Sequence, residues 1–250
     1  MTNISNISCV IIAHNAEATL QKTLDSLIAF ENVVLYSNNS TDNTIAIAQQ
    51  YPNVDVIDGE FLGFGATKNK AASYARNPWI FSLDSDETLP PNLIKELSQL
   101  SLENEKEAFI LKRDNYFLGK HIKHSGWGND YLIRLYNKNY HSFNDNLVHE
   151  HIQTTPQSII TKLTHSFHHD AIQNINQFLQ KVMKYSDLAS QDKKTCSLGV
   201  VFFKALFAFF KTYFLQLGFL DGWRGLVIAV SNFNGKFFRY IKRYQNCKNI

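Results

Sequence analysis

Acidic side chains all but vanish from the last part of this 250-residue chain: from Lys193 onward there are ten Lys or Arg and a single acid, Asp221. The residues before it are therefore acidic, with 15 bases against 21 acids, although the whole chain carries only +3. A basic, aromatic tail on an acidic body points to an anionic surface as the tail's partner. Cysteine is sparse too. Cys9, Cys196 and Cys247 are odd in number and form no CxxC pair, which excludes a disulfide framework and a cysteine zinc site. The opening, "MTNISNISCVIIAHN", lacks the basic region and cleavable apolar stretch of a signal peptide, so a reducing cytoplasm is the expected compartment. No internal repeat and no low-complexity linker interrupts the chain. What is present, 44% hydrophobic and 19% charged residues, describes a globular protein.

Short β-branched runs alternate with helical spacing over the first hundred residues. "ISCVII" (7–12), "NVVLYS" (32–37), "VDVID" (54–58) and "WIFSL" (79–83) read as strands. Between them, 14–30, 40–51 and 65–75 read as helices, and Pro90-Pro91 opens a fourth. This alternation predicts an α/β fold, a mostly parallel sheet with helices on both faces. Ligands of such sheets bind outside the carboxyl ends of the strands. Those ends carry His14-Asn15, Ser37-Asn38-Asn39, Asp58-Gly59 and Asp84-Ser85-Asp86-Glu87. A more antiparallel region follows ("AFILKRDNYFLG", "YLIRLYN", "SIITKLTHSFHH"), and from about Asn174 the pattern is helical. The expected division is a catalytic domain over 1–170 and a helical, basic-aromatic extension over 171–250.

The carboxylates at the end of the fourth strand admit two readings. Side chains at i and i+2 of an extended chain share a face, so Asp84 and Asp86 could hold a hard divalent cation such as Mg²⁺ or Mn²⁺. They could equally be a solvated turn. An EF-hand is excluded because its sixth position is Leu89, not Gly. "GFGATKN" (63–69) is neither a Walker A nor a GxGxxG, and reads as a tight turn or as a diphosphate cradle at a helix start. "VHEH" (148–151) is not a zincin site, since 153 is Gln. His165, His168, His169 and Asp170 could be read as a zinc site, but no further ligand stands at suitable spacing.

Taken together, "VIIAHNAEATLQKTLDSL", "NNSTDNT", "LGFGATKNKA", "SLDSDE", "NYFLGKHIKHSGWGNDYLIRLYN", "VHEHI" and "YFLQLGFLDGWRGLVIA" resemble a family 2 glycosyltransferase. They are most similar to the bacterial lipopolysaccharide inner-core β-1,4-glucosyltransferases, which add glucose to heptose. The resemblance implies a GT-A (Rossmann-like) fold, a UDP-sugar donor and Mg²⁺ or Mn²⁺. By resemblance Asp86 ligates the metal, His149 can complete its shell, and Asp84 contacts ribose or metal-bound water. Lys68 and Asn69 match the diphosphate pair, and His14 and Asn15 lie where uridine is held. Asp130 matches the base that deprotonates the acceptor hydroxyl, with Arg134 as an orienting or phosphate-facing partner. Asn39, Asp42 and Trp127 complete the implied substrate-binding set, although helix capping explains Asp42 equally well. One departure stands out: many members carry Asp where this chain has Ser37 or Asn38.

Residues 200–220, "VVFFKALFAFFKTYFLQLGFL", are long enough to span a bilayer, but Lys211 would lie near its middle. An interfacial helix fits better, with aromatics in lipid and bases among headgroups. RNA binding fits poorly, since a run of Phe suits burial or lipid rather than stacking. The expectation is an inverting, metal-dependent hexosyltransferase with a lipid-linked oligosaccharide acceptor, peripheral on the inner face of the cytoplasmic membrane. Within the class, another UDP-sugar or a polyprenyl-phosphate acceptor is the alternative. Outside it stands a catalytically silent nucleotide-sugar-binding or scaffold protein, which would bind UDP without turnover.

Overall fold

The computed structural model describes residues 3–145, 150–190 and 197–248. The chain divides into two compact units, Met1–Arg113 with Asp130–His169, and Asp114–Asn129 with Asp170–Ile250.

In the first unit β1 (Ile7–Ala13) leads into α1 (Leu20–Asp25), β2 (Asn32–Asn38) into α2 (Thr44–Ala48), and β3 (Val54–Gly59) into α3 (Phe64–Ser73). Then come β4 (Trp79–Asp84), the two-residue β5 (Glu87–Thr88), α4 (Pro91–Leu97), β6 (Glu107–Phe117), whose last residues belong to the second unit, the two-residue β7 (Lys120–His121) of the second unit, and β8 (Tyr131–Asn137), followed by β9 (Ile159–Lys162) and β10 (Phe167–Ile172), which also ends in the second unit. The sheet order is β3-β2-β1-β4-β8-β6-β10-β5. β1 lies parallel to β2 and β4, and β2 parallel to β3, while β8 joins β4 antiparallel. The expected parallel half is present, extended by antiparallel strands.

β1 shows why both faces are covered. Its odd residues Ile7, Cys9 and Ile11 join Leu20, Leu24 and Leu93 in one core. Val10 faces the other way, with Val34, Ala71, Ala72 and Ile80. Successive side chains of a strand point to opposite faces, so an uninterrupted apolar run needs helices on both sides.

One helix starts later than its periodicity predicts, and one strand-like run is divided. Residues 14–30 were expected to be helical from the start, but α1 begins at Leu20. The donors just before it are spent on the β2–α2 loop: Ala16 N binds Thr44 Oγ1 at 2.8 Å and Glu17 N binds Asp42 Oδ2 at 3.0 Å. Asn15, at φ 51°, turns the chain toward that loop. "SIITKLTHSFHH" is two strands rather than one, because the Glu96 carboxylate takes up Thr164 N at 2.8 Å and His165 N at 2.9 Å between them.

In the second unit α5 (Ile175–Ser190), α6 (Leu198–Phe210) and α7 (Trp223–Lys248) accompany a buried cluster of Phe117, Ile122, Ile172, Phe178 and Ile228. The apolar stretch 200–220 is not one straight helix. A π-helical turn (Lys211–Leu215) follows α6, Leu217 takes φ 54°, and a 3-10 turn (Gly218–Asp221) leads into α7. Two glycines permit this elbow: a Cβ on Gly225 would lie 1.8 Å from the Gly218 carbonyl oxygen, and one on Gly218 would lie 2.7 Å from that of Thr212. By length and composition Leu198–Leu215 could cross a membrane, and 17% of it is buried. Phe202, Phe203, Leu206, Phe207 and Phe210 are exposed, whereas Val201 and Ala205 are buried.

Candidate active site

The ends of β1, β2 and β4 come together because parallel register aligns them: Ala13 pairs with Ser37, and Ile12 with Asp84. His14 is exposed, and its Nδ1 lies 2.8 Å from the Asn38 carbonyl oxygen. Asn15 accepts from Thr41 N at 2.8 Å, and Asn39 turns at φ 55°. Asp42 accepts from Glu17 N and Thr44 N, one residue ahead of Asn43, which takes the N-cap position of α2. Burial pushes its carboxyl up, but the Thr44 and Glu17 donors outweigh this and hold it below its ordinary value. Ser37 is fully buried, and its Oγ makes no hydrogen bond among the described residues.

Asp84 and Asp86 do not continue one extended strand. β4 ends at Asp84, and Ser85 and Asp86 form a turn before β5. Asp86 points to His169, with Oδ2 3.5 Å from Nε2. Asp84 sits between two cations, with Lys68 Nζ 2.9 Å from Oδ1 and Arg134 Nη2 2.9 Å from Oδ2. Burial raises its pKa, and the two cations overcome that and hold it well below the usual carboxylate range.

Lys68 lies inside α3 rather than at its start, and is 4% exposed. It also reaches Glu150 Oε1 at 3.0 Å. Gly65 allows the close approach opposite, since a Cβ there would fall 1.8 Å from the Asn144 carbonyl oxygen. Asn69 is committed at both ends of its amide to the Phe143 backbone, at 2.9 and 2.8 Å.

Arg134 is 3% exposed and donates from Nη2 to both Asp84 and Glu87, the latter at 2.6 Å. Burial disfavours its charge, but Glu87 and Asp84 more than compensate and raise its pKa. Glu87 is fully buried. Burial pushes its carboxyl up, and Arg134 and Arg113 pull it back only in part. Arg113 reaches Glu87 Oε1 from Nη1 at 3.2 Å, and grips Asp130 Oδ2 from Nε and Nη2, both at 2.9 Å. Glu150, Lys68, Asp84, Arg134, Glu87, Arg113 and Asp130 thus form an unbroken run of alternating charge.

Lys68, Asp84, Arg134 and Asp130 were foreseen as site residues, and the run brings them together. Glu87, Arg113 and Glu150 were not, although "DSDE" and "VHEH" displayed two of them. Trp127 belongs to the second unit, where it packs on Phe117 and Phe178 at centroid distances of 6.0 and 6.4 Å. His149 lies outside the described residues. His165 is engaged by Glu96 at 2.9 Å and His169 by Asp86, so the histidine cluster is divided between partners.

Among the described residues no group of three or more His, Cys, Asp or Glu could by itself hold a metal ion. A hard divalent cation that shares its shell with phosphate and water needs only one or two carboxylates. Asp86 meets that requirement. Asp84, already neutralised by Lys68 and Arg134, is the weaker donor.

The family model for glycosyl transferase family 2 matches residues 8–162. An uncharacterized glycosyltransferase of Rickettsia felis is 27% identical over 263 residues, which cover 96% of this chain and 89% of that protein. The lipopolysaccharide core biosynthesis glycosyltransferase LpsC of Rhizobium meliloti is 27% identical over 251 residues, covering 96% of this chain and 92% of LpsC. The structure of S. aureus TarS 1-349 in complex with UDP-GlcNAc aligns with a TM-score of 0.49 at 14% identity, over 98% of this chain and 90% of that one. The family match runs from the second residue of β1 through β9, with all four polar strand ends and the whole run of alternating charge, and the chain belongs to glycosyl transferase family 2.

Proposed function

We propose that this glycosyltransferase is an inverting, divalent-metal-dependent enzyme that moves a hexose, glucose first among them, from a UDP-sugar to a lipid-linked inner-core oligosaccharide. The observation that carries the reading is the run of ion pairs from Lys68 to Asp130, which ties a cation suited to a diphosphate to a carboxylate suited to an acceptor hydroxyl. Asp130 takes the hydroxyl proton as the bond between the sugar and UDP breaks. Arg113 fixes the orientation of that carboxylate through Oδ2. Lys68 and Arg134 face the donor's negative charge, and His14, Asn15 and Asn39 line the nucleoside end. Asp86 would hold Mg²⁺ or Mn²⁺, which when bound neutralises the departing diphosphate as a Lewis acid. The likeness to LpsC favours the core acceptor.

The exposed apolar side of α6 favours a peripheral position on the cytoplasmic face of the membrane, where a lipid-linked acceptor resides. Three of the tail's other bases have partners within the second unit: Arg239 and Arg243 donate to the Ala189 carbonyl, and Lys242 pairs with Asp187. Contact with anionic lipid falls to the exposed Lys211 and Lys236, and to Lys204, which is exposed although its Nζ lies 4.6 Å from the Tyr240 ring centroid.

A panel of UDP-sugars screened for acceptor-dependent UDP release tests the reading. Asp130→Asn should keep donor affinity and lose roughly 10²-fold or more in turnover. UDP binding without release in the wild type, for every donor and acceptor, would identify a silent binding protein instead.

A further inference from the structure

Glu87 is the most deeply buried member of the charge run, at 0% side-chain exposure against 21–31% for Glu150, Asp84 and Asp130. A buried carboxylate is rarely the most stable choice for its position, because apolar residues of similar volume often do as well or better. Its presence therefore asks for a role, and its bonds suggest one. A single oxygen, Oε1, accepts from Arg134 at 2.6 Å and from Arg113 at 3.2 Å, while Oε2 accepts from Asp84 N at 3.0 Å. Beyond Glu87 each arginine grips one further carboxylate, Arg134 that of Asp84 and Arg113 that of Asp130. The Glu87 backbone is itself pinned, since β5 pairs antiparallel with β10 and sets Glu87 opposite His169.

We infer that Glu87 is a positioning residue: through Arg113 it holds Asp130, and through Arg134 and the Asp84 amide it holds Asp84, so that one buried anion fixes the spacing between the two. The inference rests on the reading of Asp130 as the base. An arginine side chain on its own samples many rotamers. Two guanidinium groups that share one immobile oxygen sample few, and a base displaced by about 1 Å can lose on the order of 10²-fold in rate. Glu150 at the other end of the run is bound only to Lys68 among the bonds described, and has no such bridging geometry.

The test is a double-mutant cycle between Glu87→Gln and Asp130→Asn, read as kcat per folded enzyme, donor KM and melting temperature. Glu87→Gln keeps the volume and removes the charge that holds both arginines. Its kcat should fall about 10- to 10²-fold with donor KM within about threefold. In the Asp130→Asn background the same change should cost less than about threefold, because the group it positions is no longer a base. A lower melting temperature with unchanged kcat per folded enzyme overturns the inference, as does a full additive loss in that background. Should Glu87→Gln fail to fold, Arg113→Lys cuts the same link while leaving Glu87 paired with Arg134. It should show the same non-additive fall in kcat, and full turnover would overturn the inference. Undiminished turnover in Asp130→Asn refutes the base reading and this inference with it. A dead Asp130→Asn beside a fully active Glu87→Gln refutes this inference alone.

Discussion

Replacing Arg134 with Met keeps the length of the side chain and its contact with Phe167, whose ring centroid lies 5.2 Å from the guanidinium. It strands two carboxylates. Asp84 retains Lys68, but Glu87, wholly buried, keeps Arg113 at 3.2 Å and the Asp84 amide at 3.0 Å, without the shorter Arg134 pair. Removing one partner of a buried pair generally destabilises by about 3–5 kcal/mol. Here protonation sets a ceiling. Glu87 can take up a proton, and near pH 7 that costs about 1.4 kcal/mol for each pH unit above its ordinary value of 4.5, about 3.4 kcal/mol at most. Because burial already raises Glu87 in the wild type and Arg113 remains, a loss of about 2–3 kcal/mol is expected. Its pH dependence is the signature. A carboxyl whose folded pKa lies above its unfolded value contributes stability below the unfolded pKa and loses it as pH rises. Arg134→Met should therefore recover toward the wild type as pH falls from about 7 to about 5, by up to roughly 1.4 kcal/mol per unit. Urea denaturation followed by circular dichroism at several pH values measures this. A deficit below about 1 kcal/mol, or one equally large at both ends of that range, would refute the argument.

Asp86→Ala should abolish sugar transfer and the metal dependence of UDP binding while the melting temperature holds; full activity in EDTA would remove Asp86 from the metal reading. Glu96 is pushed up by burial, but the Thr164 and His165 donors more than offset this and hold it below its ordinary 4.5. Its contribution is present above 4.5 and lost as pH falls through the lower folded value. Glu96→Gln should thus lower stability near neutrality and flatten the acid slope of the melting temperature, and identical slopes would count against the hold of Glu96 on the Thr164 and His165 amides. Replacing Lys204, Lys211 and Lys236 with Gln should weaken binding to anionic vesicles by about 1 kcal/mol per base, leaving an aromatic share that salt does not screen. A wild type that ignores such vesicles in flotation would show that α6 does not meet lipid.

The parallel half of the sheet was legible because its signal is local: apolar runs of strand length, bounded by polar ends, with helical spacing between them. The polar rim followed from the same pattern, since parallel strands must end together. The charge run was not legible in full. Arg113 meets Glu87 across 26 positions, and Lys68 meets Glu150 across 82. A lone Glu after Asp-Ser-Asp reads as part of a solvated turn until β10 is laid beside it. The elbow after α6 was hidden for another reason. Apolar content from 200 to 220 is continuous, so periodicity carries no break there. The glycines at 218 and 225 were the visible sign, but their meaning lies in backbone contacts that composition does not encode.

Cys9, on the inward face of β1, gives the protein a built-in clock. Its side chain is fully buried, and burial drives the thiol's pKa far up, so in the folded sheet it is neither reachable nor ionised. An alkylating reagent can label it only when β1 parts from β2 or β4. With Cys196 and Cys247 replaced by Ser, the labelling rate at position 9 becomes the rate at which the strand beneath the active-site rim comes loose. Titrated UDP-sugar should slow that rate in proportion to its occupancy. Donor affinity could then be read from a single thiol, with neither acceptor nor turnover required.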